Sequence, residues 1–141
     1  MAWKYTYENM LKRAYEKLPE KSRKETRFEI PRVDSEIQGN RTIVKFFPSL
    51  AKKINREPDH MLKFLLRELA TTGKTPGKNA IFMGRFSRDL MQHKYEKYLR
   101  KFVLCDQCKK PDTELKKEKG LTFKICEACG AKSSVMSLKK K

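Results

Sequence analysis

Along YENMLKRAYEKLPEKSRKE the apolar residues Tyr7, Met10, Leu11, Ala14, Tyr15 and Leu18 recur at i, i+3, i+4, i+7, i+8 and i+11. That spacing predicts one stripe on an amphipathic helix within residues 1–20. Pro19 stops the helix, and residues 21–25 are polar and charged, which predicts a linker. A helix this short is marginal alone in water, so its stripe needs a cover. Either the helix folds onto its own core or it docks in a partner's groove, and the periodicity leaves both open.

The pattern then changes, and residues 26–102 read as the main domain. Val33, Ser35 and Ile37 alternate up to Gly39-Asn40, and the β-branched run Thr42-Ile43-Val44 follows, which predicts a hairpin. Ser49 is the expected N-cap of a helix over SLAKKINR. A second helix starts near Glu57-Pro58-Asp59 with Leu62, Leu65, Leu66 and Leu69 on one face, widened by Met61 and Phe64, and Gly73 is expected to end it. GKTPGKNAIFMG reads as a turn leading to a short strand, Ala80 to Met83. Ser87 then caps a last helix through Leu90, Met91, Tyr95, Tyr98, Leu99 and Phe102. The expected fold class is α+β, a small core of antiparallel strands and packed helices.

Beyond residue 102 the chemistry changes. Cys105 and Cys108 form one C-x2-C, Cys126 and Cys129 another, and residues 109–125 separate them. This is the spacing of a four-cysteine zinc site. Four soft thiolates leave no open coordination position, so the Zn2+ would be structural and would supply much of the local folding free energy. An iron–sulfur centre or a redox pair is the weaker reading, given two matched pairs and a ribbon-like spacer. TELKKEKGLTFKI resembles two short strands around Lys119-Gly120, which makes residues 103–136 a zinc ribbon and leaves 137–141 as a basic tail.

Charge adds the class of partner. Lys and Arg number 34 against 17 Asp and Glu, a formal charge of +17, and such an excess favours polyanions, nucleic acid first. No run approaches the roughly 18 apolar residues of a membrane span, and MAWKYTYENM lacks the apolar centre of a signal peptide, so a cytoplasmic protein with reduced thiols is expected. His60 and His93 lie in predicted helices, and no nucleophile, base or open metal position stands out. GKTPGK departs from the phosphate-loop pattern and precedes a strand, not a helix. The chain reads as a binding protein without a small-molecule substrate, not an enzyme.

LAKKINREPDHMLKFLLREL followed by a hairpin has the outline of a winged helix-turn-helix, and zinc ribbons also occur in DNA-binding transcription factors. Against this, the second helix is mostly apolar where a reading helix needs polar side chains. HMLKFLLRELATTGK, FMGRF, CDQCKKPDTEL and CEACGAKSSV resemble the beta subunit of archaeal translation initiation factor 2. The order of helix, α+β core and ribbon is similar as well. The core and ribbon also resemble the N-terminal domain of eukaryotic initiation factor five, which stimulates the GTPase of that complex. The absence of a lysine-rich N-terminal extension favours the archaeal form.

The resemblance implies a heterotrimer whose gamma subunit binds GTP, with the alpha subunit reached through it. The complex carries methionylated initiator tRNA to the small ribosomal subunit. On that reading Tyr7, Met10, Leu11, Tyr15 and Leu18 dock on the gamma subunit, and the linker lets core and ribbon move. Lys74 and Lys78 on the turn and Lys109, Lys110, Lys116, Lys117 and Lys124 on the ribbon are the expected phosphate contacts.

Overall fold

The computed structural model describes residues 4–19 and 28–138. The expected linker, 21–25, and residues 139–141 of the expected tail lie outside the described residues.

Helix α1 spans Tyr7–Lys17, with the Thr6 side chain accepting from the Asn9 amide and Leu18 as C-cap. None of its residues is buried.

The main body is α+β, as its patterning predicts. Strands β1 (Ser35–Gln38) and β2 (Arg41–Val44) form the hairpin, turning through Gly39 at φ 62°. Strands β3 (Gly73–Lys74) and β4 (Ala80–Met83) complete an antiparallel sheet of order β1-β2-β4-β3. Thr42 lies opposite Phe82 and Val44 opposite Ala80, and all four are buried on the inner face.

Three helices share that core: α2 (Phe47–Lys53), α3 (Pro58–Glu68) and α4 (Arg88–Tyr98), the last running on into a single π-helical turn, Leu99–Val103. Ser87 caps α4 as expected, its hydroxyl accepting from the Leu90 amide at 3.2 Å. Phe64, Tyr98 and Phe102 form an aromatic cluster, and the His60 ring meets Phe102 edge-on at 5.0 Å. An edge contact between Phe47 and Phe82 ties α2 to the sheet.

Several sequence expectations fall here. Ser49 is not the N-cap of α2. The chain enters through Phe46 in a left-handed conformation, φ 52°, with Pro48 in the first turn where a free amide would otherwise be orphaned. Phe47 is thereby buried, and its amide donates to the Lys78 carbonyl at 3.0 Å. Gly73 does not end α3. The helix closes at Leu69 and a left-handed Ala70, with the Thr71 amide returning to Leu66 O and the Ala70 amide to Arg67 O, a Schellman arrangement. Gly73 instead sits in β3, where an added Cβ would come within 2.4 Å of the Ile81 carbonyl oxygen. Met61, Phe64 and Leu65 are the buried face of α3, while Leu62, Leu66 and Leu69 are only partly buried around the core.

The ribbon is antiparallel, with β5 (Thr113–Glu118) and β6 (Leu121–Cys126) joined at Lys119-Gly120. A third strand, β7 (Lys132–Val135), pairs with β6. Its polar run, KSSV, carries no periodic signal.

Candidate metal centre and interaction surfaces

The four cysteine sulfurs all lie within 4.8 Å of one another. Cys105 Sγ is 3.5 Å from Cys129 Sγ, and Cys108 Sγ is 3.5 Å from Cys126 Sγ. Those separations exclude disulfides and are near the edge of a tetrahedron built on Zn–S bonds of about 2.3 Å, which is roughly 3.8 Å. Each pair sits on the same kind of tight turn. The Lys109 amide returns to Cys105 O at 3.0 Å and the Gly130 amide to Cys126 O at 2.9 Å, with Lys109 and Gly130 both at positive φ.

These turns aim backbone amides at the sulfurs. Amides of Cys108 and Gln107 hold the Cys105 thiol down to about 6. The Cys129 and Ala128 amides, with the Cys108 thiol, lower Cys126 in the same way. At Cys108 the Lys110 amide pulls downward, but burial and the three neighbouring thiols together push it up to about 12. Cys129 is raised too: the Ala131 amide lowers it, but the Cys105 and Cys126 thiols and burial outweigh that. Four sulfurs this close cannot all ionise without a cation between them, so the donor set fits a soft divalent metal.

The ribbon is joined to the body by two buried cations. The Arg56 guanidinium, 8 % exposed, donates to Asn55 O, Thr113 O, Phe102 O and Thr113 Oγ1 at 2.7–2.8 Å. Burial lowers its affinity for the proton, yet four acceptors hold it. The Thr113 hydroxyl in turn donates to the Val103 carbonyl. Lys124, 2 % exposed, donates to Leu104 O at 2.7 Å and Lys101 O at 3.4 Å, with Asp106 at 3.3 Å. The carbonyls of residues 101–104, where the last helix runs out of internal partners, are thus satisfied from the neighbouring segments. Leu115, Val135 and Leu138 also pack against the core.

Lys124 therefore leaves the set of expected phosphate contacts, because its ammonium is spent inside the joint. Lys74, Lys78, Lys109, Lys110, Lys116 and Lys117 are exposed. Lys74 and Lys78 lie on and after β3, Lys109 and Lys110 at the first knuckle, and Lys116 and Lys117 on β5, with Lys116 3.5 Å from Glu114. Two groups on separate elements result. The α1 stripe is brought together as a surface, with Tyr7 73 % exposed and Met10, Leu11, Tyr15 and Leu18 all exposed.

Sequence reasoning missed Arg56 and Thr113. An arginine between two charged helices reads as solvated, and Arg56's partners lie 46 and 57 residues away, beyond any local pattern.

Comparison with known proteins decides the family. The family model for a domain found in initiation factor 2 beta and initiation factor five matches residues 19–132. The chain is 42% identical over 132 residues to translation initiation factor 2 subunit beta of Methanosphaera stadtmanae, covering 94% of this chain and 93% of that one. It is 42% identical over 135 residues to the same-named subunit of Methanopyrus kandleri, covering 96% and 98%. The chain belongs to the translation initiation factor 2 beta family. The domain family spans both of the relatives that the sequence resembles, and the near full-length matches to archaeal beta subunits choose between them. The winged helix-turn-helix reading gives way with it: Met61, Phe64 and Leu65 of the second helix face the core. Among the described residues, no helix is long and apolar enough to cross a membrane.

Proposed function

We propose that the chain works as the beta subunit of a heterotrimeric initiation factor 2. It binds the gamma GTPase subunit through α1, meets the alpha subunit only through gamma, and helps deliver methionylated initiator tRNA to the small ribosomal subunit. The supporting observation is the stripe of Tyr7, Met10, Leu11, Tyr15 and Leu18, none of it buried, on a chain that aligns almost end to end with beta subunits. A helix with such a stripe gains by burying it in a partner's groove.

Cys105, Cys108, Cys126 and Cys129 hold Zn2+, which supplies cross-linking of the two knuckles and no catalysis. The segment 21–25 serves as the tether, core and ribbon form the RNA-facing part, and the exposed lysines of β3, the first knuckle and β5 contribute phosphate contacts. The work is binding without bond chemistry.

The test is to purify the full chain and a version lacking residues 1–21 from cell extract at moderate salt and identify what accompanies each. A GTPase and initiator tRNA with the full chain, and loss of the GTPase on truncation, are expected. RNA polymerase or promoter DNA with both versions would overturn the reading.

A further inference from the structure

The charge excess is not confined to the turn and the ribbon. Helices α3 and α4 pack side by side, with Phe64 against Tyr98 and Phe102 at one level and Glu68 against Lys94 and Lys97 at the other. The two helices therefore run antiparallel. Along the seam, α4 and the π-helical turn that continues it present Lys94, Lys97 and Lys101 at i, i+3 and i+7, about 10 Å from first to last along the axis. Lys101 Nζ lies 5.7 Å from the Phe64 ring centre, on the α3 side. On α3, Lys63 lies close enough to His60, which packs on Tyr98 and Phe102, to act on the charge of that ring, and Arg67 stands one turn on from Lys63.

Among the described residues, Glu68 is the one carboxylate in an ion pair with any of these five cations, and Glu57 acts on His60 at the far end of the seam. Glu68 is bridged by Lys97 at 2.7 Å and Lys94 at 3.3 Å, so its charge is already committed. The hydrogen bond from Lys97 holds its carboxyl below the usual range, which keeps it ionised. The remaining cations of the seam form no ion pair among the described residues. Glu96 and Gln92 bond to each other on the opposite flank of α4, where Gln92 also receives the Val33 amide.

We propose that this α3–α4 seam is a second nucleic-acid surface, which binds the phosphate backbone of RNA without reading bases. Two features select that partner. Protein interfaces need an apolar anchor, and the large side chain between the two walls, Phe64, is fully buried. A phosphate track needs only rigidly spaced cations, which two packed helices supply. The inference shares with the proposed function the premise that the chain meets RNA, but uses none of the lysines assigned there.

The experiment compares two neutralised full-length, metal-loaded proteins with wild type. One carries Lys63→Gln, Arg67→Gln, Lys97→Gln and Lys101→Gln, which leaves Lys94 to pair Glu68. The other carries Gln at Lys109, Lys110, Lys116 and Lys117. Binding to a short RNA duplex is measured over a salt series, after thermal melts establish that each variant is folded. The seam variant is expected to lower the slope of log K against log salt by about 3, near one unit for each phosphate that is no longer neutralised. Glu68→Gln should strengthen binding by a few-fold. An unchanged slope in the seam variant with a lowered slope in the ribbon variant overturns the seam and leaves the ribbon assignment standing. The reverse result upholds the seam and removes the ribbon assignment. If the seam variant loses binding to a poly-glutamate peptide but not to RNA, the partner is an acidic protein and the inference falls.

Discussion

At the residue scale the most consequential side chain is Arg56, because it ends two problems at once. It satisfies the Phe102 carbonyl left over by the last helix, and it fixes Thr113 at the first position of β5. Charged hydrogen bonds that are fully buried contribute more than surface ion pairs, and removing one partner strands the others. Arg56→Met should therefore destabilise the metal-loaded protein by about 3 kcal/mol or more, measured by denaturant unfolding. A change within about 0.5 kcal/mol would mean the hydrogen bonds carry little net energy. His60 makes a pH-dependent contribution. Burial lowers its affinity for the proton, with Arg56 and Lys63 adding to the effect, and its Nδ1 lies 2.8 Å from the Tyr98 hydroxyl. A folded-state value below the unfolded one means the neutral ring is favoured. The stability it contributes is present above about 6.5 and lost as pH falls below that. His60→Asn, which keeps a polar atom near Nδ1, should melt with a shallower dependence between about pH 7 and pH 5.

At the scale of elements, much was legible because the signals were local. The stripe of α1, the Gly39-Asn40 hairpin, the Ser87 cap and the paired C-x2-C turns each need only a few neighbouring residues. What was not legible depends on distant chain. Phe46 accepts a left-handed conformation so that Phe47 can enter the core. Gly73 answers to the close approach of the Ile81 carbonyl on the neighbouring strand. Lys124 on β6 looked like any hairpin lysine until its ammonium met the carbonyls of 101 and 104. The ribbon itself is built from short strands with little apolar area, so bound metal should dominate its stability. Chelation with EDTA is expected to abolish amide protection in residues 105–135 and, by releasing Thr113, to lower the melting temperature of the core by several degrees without unfolding it. A ribbon that kept its protection would remove the metal from the account.

For the whole molecule, core and ribbon share a buried joint, while no residue of α1 is buried. Leu115, Val135 and Leu138 packing on the core, together with Arg56 and Lys124, make body and ribbon one unit. Motion is then expected between α1 and that unit, and not within it. Basic groups on β3, β5 and the first knuckle are carried at fixed spacing by this unit, and in the proposed assembly α1 would supply the attachment. The measurement that tests this division most directly is calorimetric titration of the gamma GTPase subunit with wild type and with the double variant Met10→Asp, Leu11→Asp. Both side chains are exposed, so the variant should melt like wild type. Its affinity should fall by about 100-fold or more, as two apolar anchors are replaced by charges. Native affinity in a folded variant would contradict the account.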